Sequence, residues 1–369
     1  GSNPAPPPDW TYFCSLETDD KYLLGGRTGM LVDSVRDEED DAYLYWFSAD
    51  DSVRNWLWDI NRADDLLVTV GDRATVLTSR DGAAWNLEVV PESMTDAILL
   101  GVGGNTNMLV SVGNRGHLMT SHNSWTNLVT QTQQGTSVTN RVNTLGIFWN
   151  AVEPALTEND LQGVTVLNDT WVVTGGKGTV LTTKDGKKWA KYQAPTSGIL
   201  TSVDAFGEYF VAVGEYGVIL TSPDGAEWTR QTSGTEQWIY RVRAFGDQLV
   251  AVGQAGTILT SADGETWVRR DSGTSQWLND VTRVGDMWFV VGANGTVLTS
   301  PDLESWQSKG VITGLSLYGA LASDGQLLSV GLEGIILRKQ VVPRSTPILI
   351  RWDRSAGEDG GFNNQFVFR

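Results

Sequence analysis

Short apolar runs alternate with polar positions along most of the chain, and glycine-bearing turns cut them at regular intervals. Residues 239–270, IYRVRAFGDQLVAVGQAGTILTSADGETWVRR, show one copy of the pattern. YRVRAF alternates with period two, a Gly246-Asp247 turn follows, and then come QLVAVG, a turn at Gln254-Ala255-Gly256, TILTS, an Asp263-Gly264 turn and TWVRR. Alternation and turn signals together predict four short antiparallel strands. The stretch VAVGEYGVILTSPDGAEW, 211–228, nearly duplicates VAVGQAGTILTSADGETW, 250–267.

The first glycine of a G-x-x-G turn sets a register. It stands at Gly26, Gly71, Gly113, Gly175, Gly214, Gly253, Gly292 and Gly331, and the last five are spaced by 39 residues. A four-stranded sheet of this size cannot bury both faces alone, whereas radial repetition buries each sheet against its neighbours. The predicted fold is an all-β propeller of four-stranded antiparallel blades, a unit near 40 residues matching one blade. The register predicts eight blades, with seven plus an irregular region near residues 30–60 as the alternative. In the eight-blade arrangement Trp10–Phe13 opens the first inner strand and PILIRWD, 347–353, supplies the last fourth strand, so every blade is complete in sequence. The expected organisation is a remnant and proline-rich linker over 1–9, one propeller over 10–353 and a tail over 354–369 that packs on it. Gly1 and Ser2 read as a cloning remnant, which leaves a removed targeting signal open. The long interval between Gly113 and Gly175 carries an insertion expected at about 133–160.

Composition sharpens this picture. Glycine (41) and tryptophan (16) suit tight turns and large apolar plugs. A net charge of −17 repels phosphate backbones, so nucleic acid is not an expected partner, and the charge also serves solubility. Cys14 stands alone, so no intrachain disulfide forms, and no apolar run is long enough to span a bilayer.

The turn between third and fourth strands has the form S-x-D-G-x-x-W. It is carried by Asp81 and Trp85, Asp224 and Trp228, and Asp263 and Trp267; Asp185 and Trp189 stand in a close copy that begins with Thr183, Asp302 and Trp306 in a weaker copy with Leu303 for the glycine, and Ser121-His122-Asn123-Ser124-Trp125 is a shortened copy. This resembles the Asp-box, or BNR, repeat of sialidase-like propellers, and the preceding strand resembles the photosystem II assembly factor (Ycf48-like) family. The resemblance covers most of residues 10–340. It implies a propeller in which these turns are structural, help in assembling a membrane protein complex, and a periplasmic, extracellular or cell-surface location. Physical chemistry agrees on the turn: the aspartate accepts backbone N–H groups, the glycine takes unusual angles and the tryptophan covers the turn. These aspartates lie on different blades and cannot converge on one ion. No cofactor is expected, and structural calcium at individual turns is left open.

Candidate ligand-binding residues lie where inner strands begin. Trp58, Tyr240 and Tyr318 are surface aromatics there, with Arg241, Arg243 and Arg283 on inner strands. Trp238 and Trp277 recur at one register, which favours packing between blades. Phe148 and Trp149 mark the insertion as a second contact, one anchoring and one reaching outward. An aromatic rim with arginines suits a protein side chain or a sugar ring. The acidic run Asp37-Glu38-Glu39-Asp40-Asp41 reads as a solvated face, or as a site for a basic partner.

No catalytic set stands out. The arginines are too bunched to map onto a sialidase triad, and no F-R-I-P-like segment is present. Glycoside hydrolysis needs two facing carboxylates, for which Glu153, Glu158, Asp160, Asp96 and Asp280 offer no distinguishing spacing. His117 and His122 are a weak metal pair, and Gly25–Gly29 opens no helix, so it is no phosphate loop. The expectation is a monomeric, non-catalytic recognition or assembly scaffold for a protein or glycan partner, with a glycoside hydrolase as the alternative.

Overall fold

The unit at residues 239–270 forms four antiparallel strands, Ile239–Phe245, Gln248–Gly253, Thr257–Ser261 and Val268–Arg270. The computed structural model describes residues 55–340 apart from 83, 132–136 and 312, together with β1 (Tyr12–Glu17), β2 (Tyr22–Gly26), β3 (Leu31–Arg36) and β4 (Leu44–Ala49). Equivalent sheets span residues 57–87, 99–151, 161–193, 200–231, 278–311 and 317–340. Numbered in chain order these are blades 1 to 7, with 239–270 as blade 5. Each inner strand packs against the next, and the inner strand of blade 7 returns to that of blade 1.

The chain therefore builds seven blades, not eight. Residues 317–340 supply three strands, and the fourth position of blade 7 is filled by β4. The contact is antiparallel, with Ile335 opposite Ala49 and Leu337 opposite Phe47. β3, β2 and β1 then continue the same sheet outward, so Gly26 belongs to this meander and not to a blade of its own. β1 is the outermost strand, where the register had an inner one. The physical reason lies in the edge of Ile335–Gln340. No S-x-D-G-x-x-W turn follows that strand to bring back a sequential partner, and an N-terminal strand satisfies its open backbone groups instead. Residues 347–353 and the expected tail lie outside the described residues.

Each gap between neighbouring blades holds one buried apolar cluster, seven among the described residues. Between blades 5 and 6, for example, Val250, Val252 and Ile258 meet Leu278, Val281, Val290 and Leu298. The turn tryptophans wedge into these gaps from the edge. Trp228, Trp267 and Trp306 pack against the clusters that join blades 3–4, 4–5 and 5–6. In blade 5, the N–H groups of Glu265 and Thr266 donate to Asp263 Oδ1 (2.9 and 2.7 Å), and Trp267 Nε1–H donates to the Gly264 carbonyl (2.9 Å). Those backbone hydrogen bonds hold the carboxyls of Asp185, Asp224, Asp263 and Asp302 below the usual aspartate range.

Antiparallel order places the G-x-x-G turns and the loops entering each inner strand on one face, the entry face. The S-x-D-G-x-x-W turns lie on the opposite face. The entry turns are tight. Ala255 has φ +53° and Gly256 φ +66°, and a Cβ on Gly256 would stand 1.9 Å from the Thr274 carbonyl oxygen.

In blade 2 the turn between third and fourth strands is split. A hairpin, Trp125–Gln131 paired with Ser137–Asn143, leaves the sheet after Leu118–His122, and the fourth strand is only Asn150–Ala151. The turn nevertheless re-forms across the gap. Gly146 N–H donates to Ser121 Oγ (2.7 Å) and Trp149 Nε1–H donates to the Gly146 carbonyl (2.7 Å). The Thr144 carbonyl stands where the aspartate carboxylate would be, accepting from Ile147 and Phe148 N–H and from Ser121 Oγ–H. The inserted element is thus a hairpin within residues 123–143, earlier than the expected 133–160. Trp149 takes the place of the turn tryptophan, and Trp125 opens the hairpin.

Two outcomes follow from closure and the split turn. Removing residues 1–50 exposes the edge of Ile335–Gln340, so the truncated chain should lose its single cooperative urea transition or elute as aggregates. An unchanged monomer with the parent midpoint would contradict closure by β4. Replacing residues 123–145 with one aspartate restores a contiguous S-x-D-G-x-x-W turn, and the product should melt within about 5 °C of the parent, because the sheet keeps its fourth strand.

Candidate functional site

The centre of the ring is set by the third residue of each inner strand, Asp59, Gly101, Gly163, Ser202, Arg241, Asp280 and Gly319 in blade order. Neighbouring inner strands approach closely here: a Cβ on Gly101 would lie 2.2 Å from the Gln162 carbonyl oxygen. Where the residue is polar it stitches its blade to the next. Asp59 accepts the N–H groups of Ile60 (3.0 Å) and Val102 (3.1 Å). Asp280 accepts those of Val281 (2.8 Å) and Ala320 (3.0 Å). Ser202 Oγ accepts Val242 N–H (3.3 Å).

Arg241 and Arg243 of blade 5 bridge these carboxylates across the channel. Arg243 grips Asp280 in a bidentate pair, Nε to Oδ1 at 3.0 Å and Nη2 to Oδ2 at 2.8 Å. Arg241 Nη2 reaches Asp59 of blade 1 at 3.0 Å, past blades 6 and 7, and its Nε lies 3.6 Å from Asp280. The Asp280 side chain is fully buried and that of Arg241 is 11% exposed. Burial pushes the Asp280 carboxyl up, but the Arg243 and Arg241 guanidiniums outweigh it and hold the group below the usual range. Burial likewise opposes charge on Arg243, yet Asp280, Asp59 and Asp204 keep it protonated more firmly than a free guanidinium. Asp204, which accepts Ala244 N–H (2.9 Å), is raised by burial despite Arg243 beside it. The result is a floor of paired charges across the channel, in which Arg241 Nε alone is buried without a hydrogen bond among the described members of the set.

Above this floor, on the entry face, aromatic side chains follow one another over blades 5, 6, 7 and 1. Trp238 lies 6.3 Å from Trp277 between ring centres, and Trp277 lies 5.8 Å from Tyr240. Tyr318 lies 4.5 Å from Trp58, which lies 5.6 Å from Trp56. Burial raises the Tyr318 phenol, with smaller contributions from Tyr240 and Asp72. Burial also raises Tyr240, against the pull of Arg241 beneath it. Trp58 Nε1–H donates to Asp72 Oδ1 (2.7 Å), which pins one wall. Trp56 and Trp277 are the most open of the rings, 42% and 38% exposed.

The sequence-derived candidates fall into separate groups. Trp58, Tyr240, Tyr318, Arg241 and Arg243 come together at the mouth and floor, the arginines facing carboxylates. Arg283 lies at the far end of its strand, over the Trp288 ring at 5.1 Å and 3.8 Å from Asp286. Phe148 and Trp149 sit on the opposite face, Phe148 exposed and Trp149 buried. Among the suggested carboxylates, only Asp280 enters the channel; Asp96, Glu153, Glu158 and Asp160 are exposed in loops. His117 bonds the Asn114 carbonyl, while burial lowers His122, whose ring lies near Gly186 of blade 3. The acidic run 37–41 lies outside the described residues. Asp59 and Asp72 are the site residues that the sequence left unmarked as candidates; Asp59 shares the strand register of Arg241 and Asp280, the one signal that marks it. Among the described residues no three His, Cys, Asp or Glu side chains are arranged to hold a metal ion, and no helix is long and apolar enough to cross a membrane.

Asp280→Asn leaves two buried guanidiniums short of a counter-charge and should lower stability by about 3–5 kcal/mol in urea unfolding at neutral pH. Because the folded carboxyl titrates below its unfolded value of about 3.9, its contribution is complete above that pH and is lost as pH falls through the lower folded value. The difference between parent and variant should therefore shrink below about pH 4. Equal stabilities at pH 7 would show that the pair carries no weight.

A family model described as the DUF6242 beta propeller domain matches residues 146–278. No curated protein matches the chain in sequence. Solved structures share the fold. A structure of YCF48 bound to D1 peptide is 20% identical with a TM-score of 0.60, covering 79% of this chain and 95% of that one. YCF48 from Cyanidioschyzon merolae is 17% identical with a TM-score of 0.58, covering 78% and 95%. Virginiamycin B lyase from Staphylococcus aureus is 10% identical with a TM-score of 0.63, covering 81% and 100%. At such identities the likeness is one of fold: the chain is a seven-bladed β-propeller resembling YCF48 proteins.

Proposed function

We propose that this propeller is a non-catalytic recognition or assembly module that holds a segment of a partner protein at the aromatic mouth of its channel. One observation carries the proposal: six aromatic rings, drawn from four blades, lie on one face above buried ion pairs that cross the channel. Tryptophan and tyrosine present large, stiff surfaces that lose little freedom on binding, and they dominate contact energetics where they cluster. The likeness to YCF48, one structure of which holds a peptide, supports a protein occupant. The extracytoplasmic location expected from that resemblance belongs to the same proposal.

The geometry gives the hydrolase alternative no support. A glycosidase acid must hold its proton near neutral pH. Asp280 is held below the usual aspartate range, and both Asp280 and Asp59 spend their lone pairs on arginines and backbone N–H groups. Their work is to close the ring.

A peptide-display selection on the parent protein tests the proposal. Selected peptides should bind at the mouth, and Trp277→Ala or Trp56→Ala should weaken them about tenfold or more, in keeping with loss of a central aromatic anchor. Peptides that ignore both substitutions and are lost on excising the hairpin would move recognition to the opposite face.

A further inference from the structure

Among the described residues, the loops and turns beside the aromatic arc are mostly acidic, while the outer strands that lead into them carry the exposed Arg230 and Arg269. The loops entering blades 5 and 6 carry Glu236 and Asp271, and the entry turns of blades 7 and 1 carry Glu333 and Asp72. Glu236, Asp271 and Glu333 are exposed, and Asp72 is half-buried beneath Trp58. Among the described residues of these loops and turns, Arg73 is the one exposed base. The two channel arginines do not offset this, because Asp59 and Asp280 already neutralise them. Burial keeps the Tyr240 and Tyr318 phenols neutral, so they offer π faces and hydroxyls without charge of their own.

Open indoles on a face whose loops and turns carry mostly carboxylates match one kind of occupant. From this arrangement we infer that the mouth takes a cationic peptide segment, with arginine or lysine side chains laid over Trp277 and Trp56 and their charge met by Glu236, Asp271 and Glu333. A guanidinium or ammonium over an indole is drawn by the ring quadrupole, and nearby carboxylates add Coulomb attraction. The −17 charge of the whole chain acts in the same direction at longer range and steers a basic segment toward the protein. An acidic segment meets repulsion at the rim and finds no unpaired guanidinium below. This inference rests on the recognition role proposed above and specifies its partner.

Tryptophan fluorescence titrations with three synthetic peptides of equal length test it: one bearing arginines in a glycine-serine background, one with glutamates in their place, and one with glutamines. Each is measured on the intact chain at low and physiological salt. The arginine peptide should bind at least tenfold more tightly than the others and should weaken as salt rises. Trp277→Ala should reduce its affinity about tenfold, as should the combined Glu236→Gln, Asp271→Asn and Glu333→Gln variant. All substitutions are at exposed positions, and unchanged urea midpoints would confirm intact folding. If the glutamate or glutamine peptide binds as well and remains sensitive to Trp277→Ala, the mouth recognises peptides but the cationic preference is wrong. If the arginine peptide binds with no dependence on Trp277 or the three carboxylates, attraction to the acidic chain as a whole explains it and the inference falls. If no peptide binds, this inference falls, while the display selection separately judges the recognition role.

Discussion

Each sheet in this chain has two apolar faces and can hide them only against other sheets. That requirement sets the radial arrangement, because a ring gives every blade a neighbour on both sides. Seven buried clusters fill the seven gaps, and the last joins blade 7 back to blade 1 through Leu57, Ile60, Leu328, Val330 and Ile336. A closed ring leaves one difficulty, the unpaired edge of the final three strands. β4 meets it, and so ties the two ends of the chain into one sheet.

Closure also crowds the axis. Neighbouring inner strands come near enough that the third position holds glycine or a polar group that bonds the next strand's N–H, Arg241 of blade 5 being the exception. Carboxylates buried in that way need counter-charge, and Arg241 and Arg243 provide it from blade 5. The channel is therefore filled by its own charges. Contact with a partner moves outward to the entry face, where the residues just before and just after the start of each inner strand are free to differ between blades. Blades 5, 6, 7 and 1 place Trp238, Trp277, Tyr318 and Trp58 there; blades 2, 3 and 4 place Ile98, Asp160 and Ile199 at the preceding position.

The hairpin of blade 2 illustrates how much freedom the turn face has. A structural turn tolerates more than twenty added residues when a backbone carbonyl, that of Thr144, can take over from the aspartate carboxylate. The turn tryptophan survives as Trp149, because the gap between blades 1 and 2 still has to be plugged. The aromatic mouth and this hairpin occupy opposite faces, so the two features that attract attention in the linear chain cannot share one small ligand.

Strand alternation, turn chemistry and the 39-residue spacing are local properties, and they were enough to read four-stranded blades and a propeller. The register also located where each inner strand begins, which is where Trp58, Tyr240 and Tyr318 stand. Blade number was not legible, because whether Gly26 begins a blade or a closing meander depends on which strand pairs the edge of Ile335–Gln340, some 310 residues away in sequence. The Arg241–Asp59 contact was hidden likewise: nothing in the spacing of two residues on blades 5 and 1 states that the ring will bring them together. Local hydrogen bonding and side-chain periodicity wrote the repeat; only the closing of the circle decided how many blades it has, which charges meet at its centre and which face is left to meet a partner.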